Sequence, residues 1–337
     1  MKIRILFFIV SLSFLINCED DITYYSDFGW DEQSLPDKII DVNSLYFLDT
    51  LNGWAVGGYA DVSGTGESYG KAFQTTDGGL HWSEQFRLDG NYFYDVFFQN
   101  SSKGWVLGQK GKLLRTTDGG YSWDTISLGI ENNLWSIFFT YEDNGWIAGT
   151  YGTLFKTTDG GNNWSQISFV KTHLMDITFT DKNIGYVVGG QSDKGFSTGE
   201  IYKTTDGGVN WDTVHFNKEY LLRKVSFVDS NNGWAVGNHG FMIRTSDGGI
   251  TWEQLNTNAT YHLNSVSFVD KYRGWICGRY SQIFNTTDGG ITWLKQMTGV
   301  KEDFHSILFL DSLHGWMTGT YGTVLYTNIG GKDKKSK

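Results

Sequence analysis

One octapeptide occurs six times in this 337-residue chain. The first copy runs Thr75-Thr76-Asp77-Gly78-Gly79-Leu80-His81-Trp82, and its aspartate returns at Asp118, Asp159, Asp206, Asp247 and Asp288. The spacings are 41, 41, 47, 41 and 41 residues. A unit this short cannot bury its own apolar face, so a fixed period of this size implies units stacked into a propeller or solenoid rather than independent domains. An aromatic content of 16%, 43 glycines and a single proline suit many short strands joined by tight glycine turns.

Aligned copies give a four-part unit, clearest in the third. Trp135–Phe139, Gly145–Gly149, Thr153–Thr157 and Trp164–Ser168 read as four strands of about five residues, separated by turn signals. The Gly-aromatic pair of the second strand occurs seven times, at Gly53-Trp54, Gly104-Trp105, Gly145-Trp146, Gly185-Tyr186, Gly233-Trp234, Gly274-Trp275 and Gly315-Trp316. The seventh unit ends in Thr327-Asn328-Ile329-Gly330-Gly331, with Ile329 at the aspartate position and no tryptophan after it. Its fourth strand is expected at the other end of the chain. Trp30 precedes Ser44 by 14 residues, much as Trp123 precedes the matching Ser136 by 13. The expected fold is all-β: a seven-bladed β-propeller of four-stranded blades, closed by an N-terminal strand from Trp30 to about Leu35 that completes the last blade.

The octapeptide has a local explanation. A carboxylate at the start of a turn accepts N–H bonds from the residues after it, glycines supply positive φ, and the tryptophan packs back on the sheet. Asp77, Asp118, Asp159, Asp206, Asp247 and Asp288 recur once per blade, as a structural part does and a catalytic one does not.

Lys2 and Arg4 precede an apolar run from Ile5 to Ile16. That is a charged region followed by a run too short to span a bilayer, the pattern of an export signal. The run ends Leu15-Ile16-Asn17-Cys18 and resembles a bacterial lipoprotein signal in which Cys18 becomes the lipidated first residue, although Asn17 departs from the usual small residue. The expected organisation is a lipoprotein-type signal peptide over 1–17, a tether over 18–29, the propeller over 30–331 and a basic tail over 332–337. The expected location is exported and membrane-anchored, in the periplasm or on the cell surface, with the lipid anchor as the only contact with the membrane.

The pairing of Gly-Trp-Ala-Val-Gly with Thr-x-Asp-Gly-Gly-x-x-Trp, as at Gly53–Gly57 with Thr75–Trp82 and at Gly233–Gly237 with Thr245–Trp252, is an Asp-box (BNR-like) pattern. It resembles the bacterial propellers related to the photosystem II stability/assembly factor, over about residues 30–331. Sialidases, xyloglucanases and sortilin-type receptors share the boxes, so fold alone does not carry function. The resemblance implies a factor that acts without catalysis by binding an assembling membrane protein, through a face rich in arginine. This chain has six arginines after the leader. Its net charge is −10, and removing residues 1–17, which hold Lys2 and Arg4, leaves −12. Such a balance disfavours nucleic acid, whose phosphates need Lys and Arg.

An enzyme is the runner-up. A sialidase-like site needs three converging arginines. Arg115 and Arg244 fall in the repeat register, Arg273 lies on the Asp-box side and Arg87 ends an outer strand, which leaves only Arg279 and Arg223 for the opposite face and no converging triad. A glycosidase of another kind needs paired carboxylates, for which Asp95 and Asp176 in the innermost strands are the candidates, against a generic polar lining of Ser44, Ser136, Lys224, Ser265 and Ser306. The seven histidines show no ligand-like spacing. No catalytic residue, metal or cofactor is expected, nor a disulfide between Cys18 and Cys277.

Two blades are longer between their second and third strands, by about ten residues within Gly58–Gly70 and about seven within Gly190–Gly199. Such insertions on one face of a repeat array mark a binding face. The candidate partner-binding residues there are Tyr59, Tyr69, Tyr151, His239, Arg279, Tyr280 and Tyr321. The expected role is a non-enzymatic, monomeric scaffold engaging an envelope protein or glycan.

Overall fold

The computed structural model describes residues 28–38, 40–60, 68–140, 143–193 and 196–332. Among them are seven four-stranded antiparallel sheets, each built from an inner to an outer strand. In blade three these are Leu134–Phe139, Gly145–Gly149, Leu154–Thr157 and Ser165–Ile167. Each inner strand packs on the next, and Phe304–Phe309 returns to Asp41–Phe47 to close the ring. Second strands such as Gly104–Gly108 are buried at every residue because both their faces meet a neighbouring blade. The outer strands are largely exposed.

The Gly-aromatic pair is a packing device. A Cβ at Gly145 would sit 2.3 Å from Phe139 Cε1, and one at Gly233 would sit 2.5 Å from Phe227 Cε1. The glycine therefore lets the phenylalanine that ends the inner strand lie flat over the second strand. The other side of that phenylalanine receives the aromatic residue of the preceding blade. Trp54 stacks on Phe98, Trp105 on Phe139, Trp146 on Phe179, Tyr186 on Phe227, Trp234 on Phe268, Trp275 on Phe309, and Trp316 on Phe47. Aromatic pairs of this kind contribute about 0.5–1.5 kcal/mol each beyond the area they bury.

The octapeptide completes the junction. In the second copy Thr116 Oγ1 donates to Asp118 Oδ1 at 2.8 Å and accepts from Gly120 N at 2.9 Å, while Asp118 accepts from Ser122 N and Ser122 Oγ. The first threonine is thus as much a part of the turn as the aspartate. The carbonyl of the first glycine faces the preceding blade: Trp54 Nε1 donates to Gly119 O at 3.2 Å and Trp234 Nε1 to Gly289 O at 3.0 Å. The closing tryptophan meets the same phenylalanine edge-on, as in Trp82 on Phe47 and Trp252 on Phe227.

Blade seven is closed by the N-terminal strand. Gly29–Gln33 pairs antiparallel with Val324–Gly331, Gly29 opposite Gly331 and Gln33 opposite Val324. Trp30 is 1% exposed and meets Phe309 edge-on at 85°, the place held elsewhere by the octapeptide tryptophan. Gln33 then reaches blade one, donating to Gly78 O and accepting from Trp82 Nε1. The turn at Thr327 keeps its threonine bond to Gly331 N without an aspartate. The carboxylate elsewhere holds the N–H that leads into the outer strand, and here that strand arrives from the other end of the chain.

Candidate partner-binding face

The connections between second and third strands lie on the face away from the octapeptides. In five blades this connection is a two-residue turn. Its first central residue is Lys110, Tyr151, His239, Tyr280 or Tyr321, with φ of 54–56°. The next residue, Gly111, Gly152, Gly240, Ser281 or Gly322, is also at positive φ, and the turn closes through bonds such as Thr153 N to Thr150 O. Two successive left-handed residues make a type I′ turn, which ordinarily takes Asn, Asp or Gly first. A bulky side chain in that conformation costs about 1–2 kcal/mol. Tyr151, Tyr280 and Tyr321 are nonetheless there, exposed by 70, 66 and 69%. Backbone strain of this kind gathers at binding sites.

A second ring lies inside the first. Every inner strand carries a β-bulge immediately before its channel-lining residue, for example between Leu134 and Ser136 and between Leu222 and Lys224. The bulged residues are Asn43, Tyr94, Trp135, Met175, Arg223, Asn264 and His305, all half-buried. A bulge leaves one residue out of the ladder and re-aims its side chain. Sequence reading missed this ring apart from Arg223. The available signal was the position just before the recurring channel residue, where seven blades carry six residue types.

The two halves of this face differ in chemistry. Over blades two to four it is aromatic, with Tyr92 beside Tyr94, Trp135 beside His173, and His173 beside Tyr151. Over blades five to seven charged groups join the aromatics, which there include Tyr280 against Tyr261 and the exposed Tyr321. Arg223 donates to Asn238 Oδ1 at 2.7 Å, and burial followed by repulsion from Arg279 lowers its pKa to about 10. Arg279 Nε stands 4.0 Å from Asp303 Oδ2. His262 is held at about 4 by burial, then by Arg223 and Arg279, and its Nδ1 accepts from His239 N. Burial also lowers His305, whose Nε2 is enclosed with no hydrogen-bond partner among the described residues. Asp303 and Asp41 face the same cluster and offset part of its positive charge, so it is a mixed-charge site with Arg223 and Arg279 as its cations.

The remaining candidates divide. Tyr59 ends the lengthened second strand of blade one and stacks on Tyr69 at 5.7 Å. Tyr69 itself is only 9% exposed, donates to Asp37 Oδ2 and lies under the Arg87 guanidinium, so its surface is already occupied. Cys18 lies outside the described residues, as do residues 61–67 of the blade-one insertion.

Asp95 and Asp176 serve the ring closure of inner strands. Asp95 accepts from Ser44 Oγ and from Ile137 N of the next blade, and burial raises its pKa. Asp176 accepts from Ser136 Oγ, Lys224 Nζ and Val225 N. Ser265 and Ser267 likewise accept from Ile307 N and Phe309 N. These side chains satisfy inner-strand N–H groups that would otherwise be unpaired inside the ring. Among the described residues no group of His, Cys, Asp and Glu could hold a metal.

With this geometry in view, comparison with known proteins identifies the lineage. The family model described as photosynthesis system II assembly factor YCF48 matches residues 82–212, 169–260, 209–301 and 252–337. No curated protein matches. A structure titled "YCF48 bound to D1 peptide" is similar at 22% identity and TM-score 0.71, covering 89% of this chain and 94% of that one. YCF48 from Cyanidioschyzon merolae is similar at 18% identity and TM-score 0.69, with 89% and 99% covered. The WD40 propeller domain of Doa1 is similar at 12% identity and TM-score 0.66, with 89% and 97% covered. The structures show the fold; the family model, spanning most of the chain, shows that this protein belongs to the YCF48 family of photosystem II assembly factors.

Proposed function

We propose that the chain is an exported, lipid-anchored assembly scaffold that grips an extended segment of a cell-envelope protein on the insertion face. The observation that carries this is the set of five type I′ turns with Lys, Tyr or His where Asn or Gly would be cheaper. Tyr151 packs one edge against His173 and Tyr280 against Tyr261, yet Tyr151, Tyr280 and Tyr321 leave about two-thirds of their surface open to a partner. The aromatic half offers flat apolar contact, and the Arg223–Arg279 half offers a place for a carboxylate. That a similarly folded YCF48 has been seen with a D1 peptide supports a peptide as the ligand class. In this reading residues 1–17 are the export signal, Cys18 the lipidated residue, 18–29 the tether and 332–337 a basic tail. A glycosidase reading is disfavoured because Asp95 and Asp176 are engaged by backbone N–H groups of neighbouring blades.

The test is co-purification from crosslinked membranes with the wild-type chain, with Tyr151, Tyr280 and Tyr321 changed together to Asn, and with Arg223→Gln/Arg279→Gln. A defined envelope protein retained by wild type and lost in both variants is expected. A partner retained by both removes this face from the function.

A further inference from the structure

Both ends of the described chain leave from one face. Gly29 pairs with Gly331 at the octapeptide end of blade seven, beside Gly330, whose N–H bonds to Leu313 O in the turn between the inner and second strands. The matching bonds from Gly78 to Leu51 and from Gly289 to Tyr272 place those turns on the octapeptide face as well. This face carries apolar side chains that no described residue covers. The third residue after the aspartate is Leu80, Tyr121, Val209, Ile250 and Ile291 in five of the six octapeptides, exposed by 75, 87, 63, 77 and 64%. Leu51, Tyr272 and Leu313 in the adjoining turns are exposed by 54, 54 and 48%. The turn itself does not require them, since blade three has Asn162 there and keeps the same Asp159 bonds. Inside this rim the channel opens into a cavity of about 640 Å³ whose walls include Tyr46, Phe97 and Phe138. Cys18 stands ten residues before Phe28, a stretch that can reach at most about 35 Å. Lys332, Lys334, Lys335 and Lys337 follow directly after Gly331.

We propose that the octapeptide face rests on the lipid bilayer, its exposed apolar rim entering the headgroup region, with the lipid anchor and the basic tail leaving the same face to hold it there. The proposal rests on Cys18 being the anchor. A single attachment leaves a domain free to tumble over the surface, and shallow apolar side chains with a polybasic segment supply the further contacts that fix its orientation. The carboxylates of this face, the octapeptide aspartates together with Asp49, Asp143, Asp181, Asp229, Asp270 and Asp311, outnumber the neighbouring Lys103, Arg115, Lys156, Lys203, Arg244 and Arg273, so attraction to the bilayer comes from the apolar rim and the basic tail and not from the charge of the face. The consequence is geometric: the insertion face, with its tyrosines and arginines, is turned away from the membrane.

The experiment uses the full chain purified from membranes and incorporated into phosphatidylethanolamine–phosphatidylglycerol vesicles containing a nitroxide-labelled lipid. Single cysteines at Tyr121→Cys, Ile250→Cys and, on the opposite face, Phe196→Cys carry a fluorophore; buried Cys277 does not compete. The expected result is quenching severalfold stronger at 121 and 250 than at 196, reduced when Leu80, Val209 and Ile291 are changed together to Ser. Equal or reversed quenching in a chain that still floats with the vesicles overturns the orientation and leaves the anchor standing. Face-specific quenching with no lipid on Cys18 by mass spectrometry supports the surface while removing the anchor. No flotation and no lipid overturns both, and a protein neighbour crosslinked to 121 or 250 in place of lipid quenching assigns the rim to a protein and overturns the proposal.

Discussion

At the scale of single residues the molecule uses two kinds of exception to local rules. One is the left-handed turn residue. Tyr321→Asn puts a residue suited to that φ at an exposed position, and is expected to raise stability by up to about 1 kcal/mol while weakening partner capture; denaturant unfolding and a binding assay on the same protein check both. The other is the exposed but fully engaged carboxylate. The Ser122 hydroxyl, then the Ser122 and Thr116 bonds, hold Asp118 at about 2 against an ordinary value of 3.8. A depressed carboxylate contributes stability that is present above 3.8 and lost as pH falls through about 2. Asp118→Asn is therefore expected to lower the melting temperature at pH 7 and to flatten its fall between pH 4 and 2. An unchanged acid limb would show that the bonds to Asp118 are not made in solution.

At the scale of elements, each blade junction is one phenylalanine held between a glycine, a stacked aromatic and an edge-on tryptophan. Gly233→Ala forces Phe227 off its seat, since the added carbon would meet the ring at 2.5 Å. A loss of about 2–4 kcal/mol is expected, as for other overpacked or disrupted cores. Trp30→Ala removes the N-terminal strand's share of the same junction and the Gln296 bond. It is expected to cost about 3–5 kcal/mol, seen as a lower melting temperature and faster proteolysis near both termini. These elements were legible in the sequence because strand, turn and tryptophan recur in register. The Gly-Trp pair and the tryptophan spacing located all seven blades and the closing strand Gly29–Gln33 within a residue or two. The bulge ring was not legible. Asn43, Trp135, Met175 and His305 share no residue type, and a bulge is a relation between two strands that a one-dimensional pattern does not display. The threonine's part in the box was overlooked although its hydroxyl, like the aspartate's carboxylate, bonds a backbone N–H four residues on.

At the scale of the whole molecule, function follows from two unlike faces. One is built from strained aromatic turns and a mixed-charge cluster; the other gathers both ends of the described chain and an uncovered apolar rim. The chain's overall acidity gave no hint of this, because Arg223 and Arg279 are brought together only when blades five and six sit side by side. If the insertion face holds a protein partner, a photo-crosslinking amino acid at Tyr151 or Tyr321 in cells making the full chain captures it, and one at Leu80 or Tyr121 does not. One discrete protein adduct is expected from positions 151 and 321, and none of the same mass from 80 and 121. The same adduct from both faces, or from the octapeptide face alone, would contradict it.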